Sequence, residues 1–146
     1  MGQKVEVGTV TYNDGSIEFR RGDDGWRVRL EAVCVIGEFT DGSGPWGDDF
    51  CAVFVERESG AWHVLPYDAD GCDDVLKLLG RKLDTPLTTT LANSTEFRSR
   101  VIWPEQLRDR PLLLDAAADG LLGRMGLRRK VQLQPEIYDL ATRVAG

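Results

Sequence analysis

Three apolar runs between Val33 and Pro66 constrain the fold of this chain more than any other part of the sequence. They read VCVIGEFT, FCAVFVER and AWHVLP, and they are separated by the polar loop DGSGPWGDD and the short turn ESG. The first two runs are apolar at consecutive positions, which is typical of strands covered on both faces. We therefore predict three antiparallel strands at the centre of a β-rich domain, followed directly by a helix.

Two turn signals upstream of this block predict antiparallel hairpins. The turn Asn13–Gly15 separates two extended runs, and its Asp-Gly pair tolerates the positive φ angles of a tight hairpin. A second turn is expected at Gly22–Gly25. Over Trp26–Ala32 apolar and charged residues alternate, which predicts a strand with one face in water.

The segment Asp70–Leu83 carries the clearest helical pattern. Asp70 is the expected N-cap, acids occupy the first turn and bases the last, as the helix dipole favours. One face of this helix is an apolar stripe formed by Cys72, Val75, Leu76, Leu79 and Leu83.

Secondary structure beyond Leu83 is less regular in its pattern. We predict a short helix over Pro86–Ala92 and a helix over Leu112–Met125, whereas Phe97–Trp103 is expected to be either a strand or irregular. Gln134-Pro135 is expected to open one or two last amphipathic turns, with Ile137, Leu140 and Val144 on one face.

The fold class indicated by these elements is α+β. The order of hairpin, strand meander and amphipathic helix, together with the run WRVRLEAVCVIGEF, resembles the small bacterial pleckstrin-homology-like domains. The resemblance implies an antiparallel β-sheet or roll over residues 1–83, packed by the amphipathic helix. Residues 84–146 would then form a helical or irregular C-terminal extension that packs on the same domain. The resemblance does not extend to headgroup binding, because the turn Asn13–Gly15 lacks the basic residues that a phosphoinositide site needs.

Composition narrows the classes of partner. The chain has 146 residues, a length that favours one domain. Its net charge of −6 disfavours nucleic acid or an anionic membrane as the main partner. Three widely spaced cysteines and an N-terminus without an apolar segment favour the cytoplasm. The segment Leu121–Gly146 is locally basic, with five basic residues against two acidic ones, so we expect it to dock on the acidic body or to mediate a homo-oligomer.

Two groups of residues are candidates for partner binding. The first lies in the Gly-rich loop after Thr40 and consists of Trp46, Asp48 and Asp49, unless the Trp46 indole folds back to cover the sheet. The second consists of Arg98, Arg100 and Trp103, whose arginines could hold a carboxylate or phosphate, unless they pair with acids of the protein itself.

No catalytic, cofactor or metal residue is predicted. His63 is the single histidine and has no placed Ser or Cys partner, and the acidic run Asp68–Asp74 fails the register of a calcium loop. The expected function is therefore that of a cytoplasmic, non-enzymatic protein-interaction module. Two alternatives stay open: an immunity-type protein that neutralises a basic toxin, and a small hydrolase or transferase that uses carboxylates clustered around one pocket.

Overall fold

The computed structural model describes residues 8–40, 50–89, 98–115 and 131–145. Within these ranges the chain is α+β, with antiparallel sheets and two helices, which confirms the predicted fold class. The strands are β1 (Thr9–Asn13), β2 (Ser16–Arg21), β3 (Asp24–Arg29), β4 (Val33–Thr40), β5 (Phe50–Glu56), β6 (Trp62–Pro66), β7 (Arg98–Trp103), β8 (Leu113–Asp115) and β9 (Val131–Leu133). The helices are α1 (Cys72–Lys82) and α2 (Pro135–Ala145), and short 3-10 turns span Leu30–Ala32 and Glu105–Leu107.

The first sheet, in the order β1-β2-β3, is built from the two predicted hairpins. At its first turn Asp14 and Gly15 have φ angles of 52° and 80°, as a tight two-residue hairpin requires. The second turn joins Arg21 to its register partner Asp24. The strand predicted from Trp26 to Ala32 is shorter than expected, because the chain bends into a 3-10 turn after Arg29.

The central sheet has the order β6-β5-β4-β7, and every neighbouring pair is antiparallel. Every residue of β4 is buried, and so are the five middle residues of β5. This confirms the prediction that these apolar runs are central strands covered on both faces. Of the two alternatives for Phe97–Trp103, the strand is confirmed as β7, which pairs with β4 rather than with its neighbours in sequence.

Two cores lie on opposite faces of the central sheet. The first core joins it to the first sheet and to α1 through the buried residues Val10, Ile17, Phe19, Val28, Ile36, Ala52, Phe54, Leu65, Val75, Leu76 and Leu79, among others. The second core joins its other face to the C-terminal segment through Val35, Phe39, Val53, Val55, Val101, Leu107, Leu112, Ile137 and Ala141, among others. The central sheet is therefore the middle of three layers.

The helix α1 follows the predicted pattern but begins differently. Its apolar stripe is buried, with Leu79 fully inaccessible to solvent. The predicted N-cap was wrong: the cap is Gly71, and Asp70 instead exchanges backbone hydrogen bonds with Gly8 and Val10. Gly71 has a φ of 86°, and a Cβ there would lie 2.6 Å from the Val10 carbonyl oxygen. Pairing with β1 therefore determines how the helix begins.

Two helix predictions after α1 were wrong where the structure describes them. Pro86–Thr89 is irregular, because this segment folds back against Gly80, where a Cβ would lie 3.0 Å from the Thr85 carbonyl oxygen. Leu113–Asp115 is a strand, because pairing with β9 supplies backbone partners that a local helix would otherwise provide. The remainder of both predicted helices lies outside the described residues.

The amphipathic turns predicted after Gln134-Pro135 are longer than expected: they form the 11-residue helix α2, which packs on the central sheet. Ile137 and Ala141 are buried in the second core, and the Tyr138 hydroxyl donates a hydrogen bond to the Arg57 carbonyl oxygen. The C-terminal segment is thereby tied to the end of β5. No helix in the described part of the chain is both long and apolar enough to cross a membrane.

Candidate functional site

The predicted binding residues are not gathered in one place. Trp46, Asp48 and Asp49 lie outside the described residues. Arg98 opens β7, and the side chains of Arg100 and Trp103 from the same strand go to different surroundings.

Arg100 belongs to a buried ion pair with Glu38. Its Nε donates to Glu38 Oε1 at 2.7 Å, and the two side chains are 9% and 0% exposed. Its other nitrogens donate to the Asp109 carboxylate at 3.1 Å and to the Thr88 carbonyl oxygen. The Tyr67 hydroxyl donates to the second oxygen of Glu38. Three oxygens of the protein already hold this guanidinium, so the geometry favours the interpretation that Arg100 pairs with the protein's own acids.

Burial is the largest cause of the raised pKa values of Tyr67, Cys34 and Cys72. It raises the pKa of the Tyr67 hydroxyl far above the ordinary value, and the neighbouring Glu38 adds to the shift. Burial raises the pKa of the Cys34 thiol and brings the pKa of the Cys72 thiol to about 11, with Asp73 and Asp68 adding to the second shift. A thiol of raised pKa is a poor nucleophile at neutral pH, because little of it is ionised. Both thiols therefore behave as small core side chains.

His63 joins the first sheet to the central sheet. Its Nε2 lies 2.9 Å from Glu56 Oε2, and its ring stacks on Trp26 with centroids 5.3 Å apart. The Trp26 indole in turn donates to the Val64 carbonyl oxygen at 2.9 Å, across from β3 to the edge of β6. These contacts agree with the expected structural role of His63. Among the described residues, no three His, Cys, Asp or Glu side chains are placed to hold a metal ion.

The outer face of the first sheet carries three exposed arginines, and we call it the arginine face. Arg20 lies on β2, and Arg27 and Arg29 lie on β3. Side chains alternate along a strand, so these residues point away from the first core. The sequence pattern had identified this wet face, but it gave no reason to select it as a site. An exposed arginine cluster is notable in a chain whose net charge is −6.

The ion pairs that Arg20 and Arg29 make with neighbouring acids are exposed to solvent. Arg20 lies 3.6 Å from Glu18, and Arg29 lies 2.8 Å from Glu31, with the arginine side chains 69% and 54% exposed. Such exposed pairs contribute about 0–1 kcal/mol to stability. A partner carboxylate can therefore replace either contact at little cost.

A cavity of about 360 Å³ opens at one end of this face, and we call it the Arg57 cavity. It lies where the first sheet meets the start of β4 and the C-terminal ends of β5, β7 and α1. Arg29 lines it and also belongs to the arginine face, so the two features are continuous. The residues that matter for its chemistry are Tyr12, Arg29, Glu31, Arg57, Leu83 and Trp103.

This cavity is where the structure places Trp103 of the predicted second group. The tryptophan is half-buried and also packs against the first core. Its arginine neighbours are Arg29 and Arg57 rather than Arg100. Sequence reasoning missed Arg57, and the available signal was a basic residue placed directly after the apolar run of β5.

A larger groove of about 670 Å³ lies between α1 and the segment that follows it. Leu76, Pro86 and Leu87 contribute apolar surface, whereas charged residues of both signs, Asp73, Lys77, Arg81 and Asp84, also line it. Mixed charge gives no preference for the charge of a ligand. The groove is therefore not the candidate site.

Comparisons with known proteins assign no family: the sequence matches no protein-family model, and it has no significant match among curated proteins or solved structures.

Proposed function

We propose that this chain is a cytoplasmic, non-enzymatic protein-interaction module, and that it binds an acidic partner through the arginine face. The observation that carries the proposal is the exposure of Arg20, Arg27 and Arg29 on one face of the first sheet of an acidic protein. Arginine is enriched at protein interfaces and is over-represented among the residues that dominate binding energy.

Several other features support this reading. Antiparallel sheets with a packed helix are compatible with a pleckstrin-homology-like module, in which a sheet scaffold presents a binding surface. The three cysteines are free and buried, as is common in proteins of a reducing compartment. The shifted thiols and tyrosine described above have raised pKa values, whereas an activated nucleophile needs a lowered one.

The charge of the surface favours an acidic protein over the other partners considered. A protein that neutralises a basic toxin would be expected to present acids, and this face presents arginines. An anionic membrane is disfavoured because Asp14, Asp23 and Asp24 occupy the two turns that border the same sheet.

A pair of charge-reversed variants tests the proposal. Arg20→Glu with Arg27→Glu reverses the arginine face, and Lys77→Glu with Arg81→Glu reverses the rim of the groove beside α1, with the same change in net charge. We expect affinity capture from extracts of the source cells, read by quantitative mass spectrometry, to recover acidic proteins with the wild type and the groove variant. The face variant should lose them at least tenfold, and capture should weaken as salt rises.

Three outcomes would contradict the proposal. The face variant could capture the same proteins as the wild type, or the groove variant could lose them instead. Sedimentation of the wild type with vesicles of anionic phospholipid, but not with acidic proteins, would assign the face to a membrane. Circular dichroism of each variant checks that the comparison is between folded proteins.

A further inference from the structure

We propose that the Arg57 cavity is a binding site for one oxyanion, a carboxylate or phosphate group, carried on a small ligand with an apolar body. The juxtaposition that supports this is a solvent-shielded arginine nitrogen without a hydrogen-bonding partner among the described residues, a second arginine, and an aromatic wall around a single space. The site does not depend on the arginine face binding a protein.

The backbone of Arg57 is fixed on both sides. Its amide donates to the Ala32 carbonyl oxygen at 2.8 Å, and its carbonyl oxygen accepts from the Tyr138 hydroxyl on α2. The side chain therefore starts from a defined point between the central sheet and the C-terminal helix. A ligand would therefore bind an arginine whose backbone position is already fixed by hydrogen bonds.

The Arg57 side chain has one nitrogen without a hydrogen bond in the part of the chain that the structure describes. Its Nε is shielded from solvent and has no hydrogen-bond partner there. The positive charge of Arg57 acts on the nearby Cys34 thiol, whose pKa is nevertheless raised because burial outweighs it. Leaving a buried donor without a hydrogen-bond partner destabilises the protein at a cost that is larger when the group is charged. A bound oxyanion would remove this cost, because it accepts from the Nε–H and neutralises the charge.

A second guanidinium lines the same space. Arg29 uses its Nε for Glu31, and its Nη2 lies over the first hairpin turn, 3.2 Å from where a Cβ of Gly15 would be. The absence of a side chain at Gly15 leaves room for this position. The ammonium group of Lys82 lies 5.3 Å from the centre of the Tyr12 ring and adds positive charge beside the cavity. The local balance is positive even with Glu31 counted.

The remaining walls indicate the body of the ligand. Trp103, Tyr12 and Leu83 supply aromatic and apolar surface next to the two arginines. A volume of about 360 Å³ is near the lower end for small-molecule sites, so it suits one ring or a short chain rather than a dinucleotide. A planar guanidinium can donate two parallel hydrogen bonds to either a carboxylate or a phosphate.

The test uses the arginine Nε–Hε signals of the ¹⁵N-labelled protein. Benzoate, phenyl phosphate and inorganic phosphate are titrated separately, with sodium chloride added to hold ionic strength constant. We expect a saturable shift of the Arg57 signal, assigned by its loss in Arg57→Met, with benzoate or phenyl phosphate. The benzoate and phenyl phosphate arms distinguish a carboxylate site from a phosphate site, and inorganic phosphate tests whether the ring contributes.

Variants separate a ligand site from a merely structural arginine. Arg57→Met should bind at least tenfold more weakly, yet unfold at the same temperature as the wild type or higher, because the shielded Nε–H donor without a partner is gone. Arg57→Lys keeps the charge but loses the planar fork, so it should bind weakly, and it serves if the Met variant does not fold. Arg81→Met removes an exposed arginine that lies outside both the cavity and the arginine face, and it should bind as the wild type does.

The proposal is overturned if none of the three probes gives a saturable shift at tens of millimolar. It is also overturned if chloride alone reproduces the shift or if Arg57→Met retains the affinity. A lower melting temperature for Arg57→Met together with absent binding would show that the arginine stabilises the fold and holds no ligand. Reversal of Arg20 and Arg27 leaves the cavity intact, so failure of the partner surface and failure of this site give different results.

Discussion

Replacing Arg100 with methionine is the sharpest test of the buried ion pair. The substitution keeps most of the side-chain volume but removes the guanidinium that lies 2.7 Å from Glu38. The Glu38 side chain is 0% exposed, so water cannot take the place of the lost partner. Removing one member of a buried ion pair lowers the free energy of unfolding by about 3–5 kcal/mol, because the charge of the other member stays buried without that counter-charge. For a chain of this size that corresponds to a fall in melting temperature of roughly 6–20 °C.

The assay is urea unfolding followed by tryptophan fluorescence, on four proteins. These are the wild type, Arg100→Met, Glu38→Gln and the double variant. The amide oxygen that Glu38→Gln introduces would still accept from the Tyr67 hydroxyl, so the double variant loses the charges but keeps one hydrogen bond. We expect it to be more stable than the sum of the single losses by about 1–3 kcal/mol, as is usual for residues in contact. Arg27→Met is the exposed control and should change stability by no more than about 0.5 kcal/mol.

The reasoning is refuted if Arg100→Met stays within about 1 kcal/mol of the wild type. It is equally refuted if the double variant loses the full sum, because Glu38 and Arg100 would then act independently. In either case Arg100 would again be available as a binding residue, as its place in the sequence first suggested.

Two further predictions concern α1. Leu79→Ala should destabilise the protein by about 2–5 kcal/mol, because the Leu79 side chain is fully buried between α1 and the sheets. Leu83 is only partly buried, so Leu83→Ala should destabilise it less. Equal losses of stability in thermal unfolding would contradict this order. The Cys72 pKa is raised from 9.0 to about 11 in the folded protein, so the unfolded thiol ionises first and stability should fall between pH 9 and pH 11 through this group. Cys72→Ala should flatten that alkaline decline in urea unfolding, and an unchanged slope would show that the Cys72 thiol does not contribute.

Local chemistry in the sequence predicted the elements that depend on neighbours in the chain. The Asp14-Gly15 turn specifies its hairpin because both residues must accept positive φ angles, and the structure has them so. The apolar runs of β4 and β5 predicted burial on both faces because no alternation marks a wet side. The sequence also predicted the apolar stripe of α1, because its apolar residues recur at the spacing of a helix.

Long-range partners account for what the sequence did not show. Glu38 and Arg100 are 62 residues apart, and nothing in either segment marks the other. The N-terminus of α1 was misjudged because β1 pairs with the backbone of Asp70, and Leu113–Asp115 forms a strand because β9 lies beside it. The site differed from expectation likewise: Trp103 shares a cavity with Arg57, which directly follows β5 and lies 46 positions earlier in the chain.

The position of the central sheet between two cores has a consequence for synthesis on the ribosome. Its strands β4, β5 and β6 are complete at Pro66, and the first sheet that covers one face has by then already been made. The other face is covered by residues such as Leu107, Leu112 and Ile137, and α2 begins only at Pro135. At about 5–20 residues per second, roughly 3–14 s separate the two events. During that interval Phe39, Val53 and Val55 lack the cover of α2, so the nascent chain should depend on chaperones until that helix emerges.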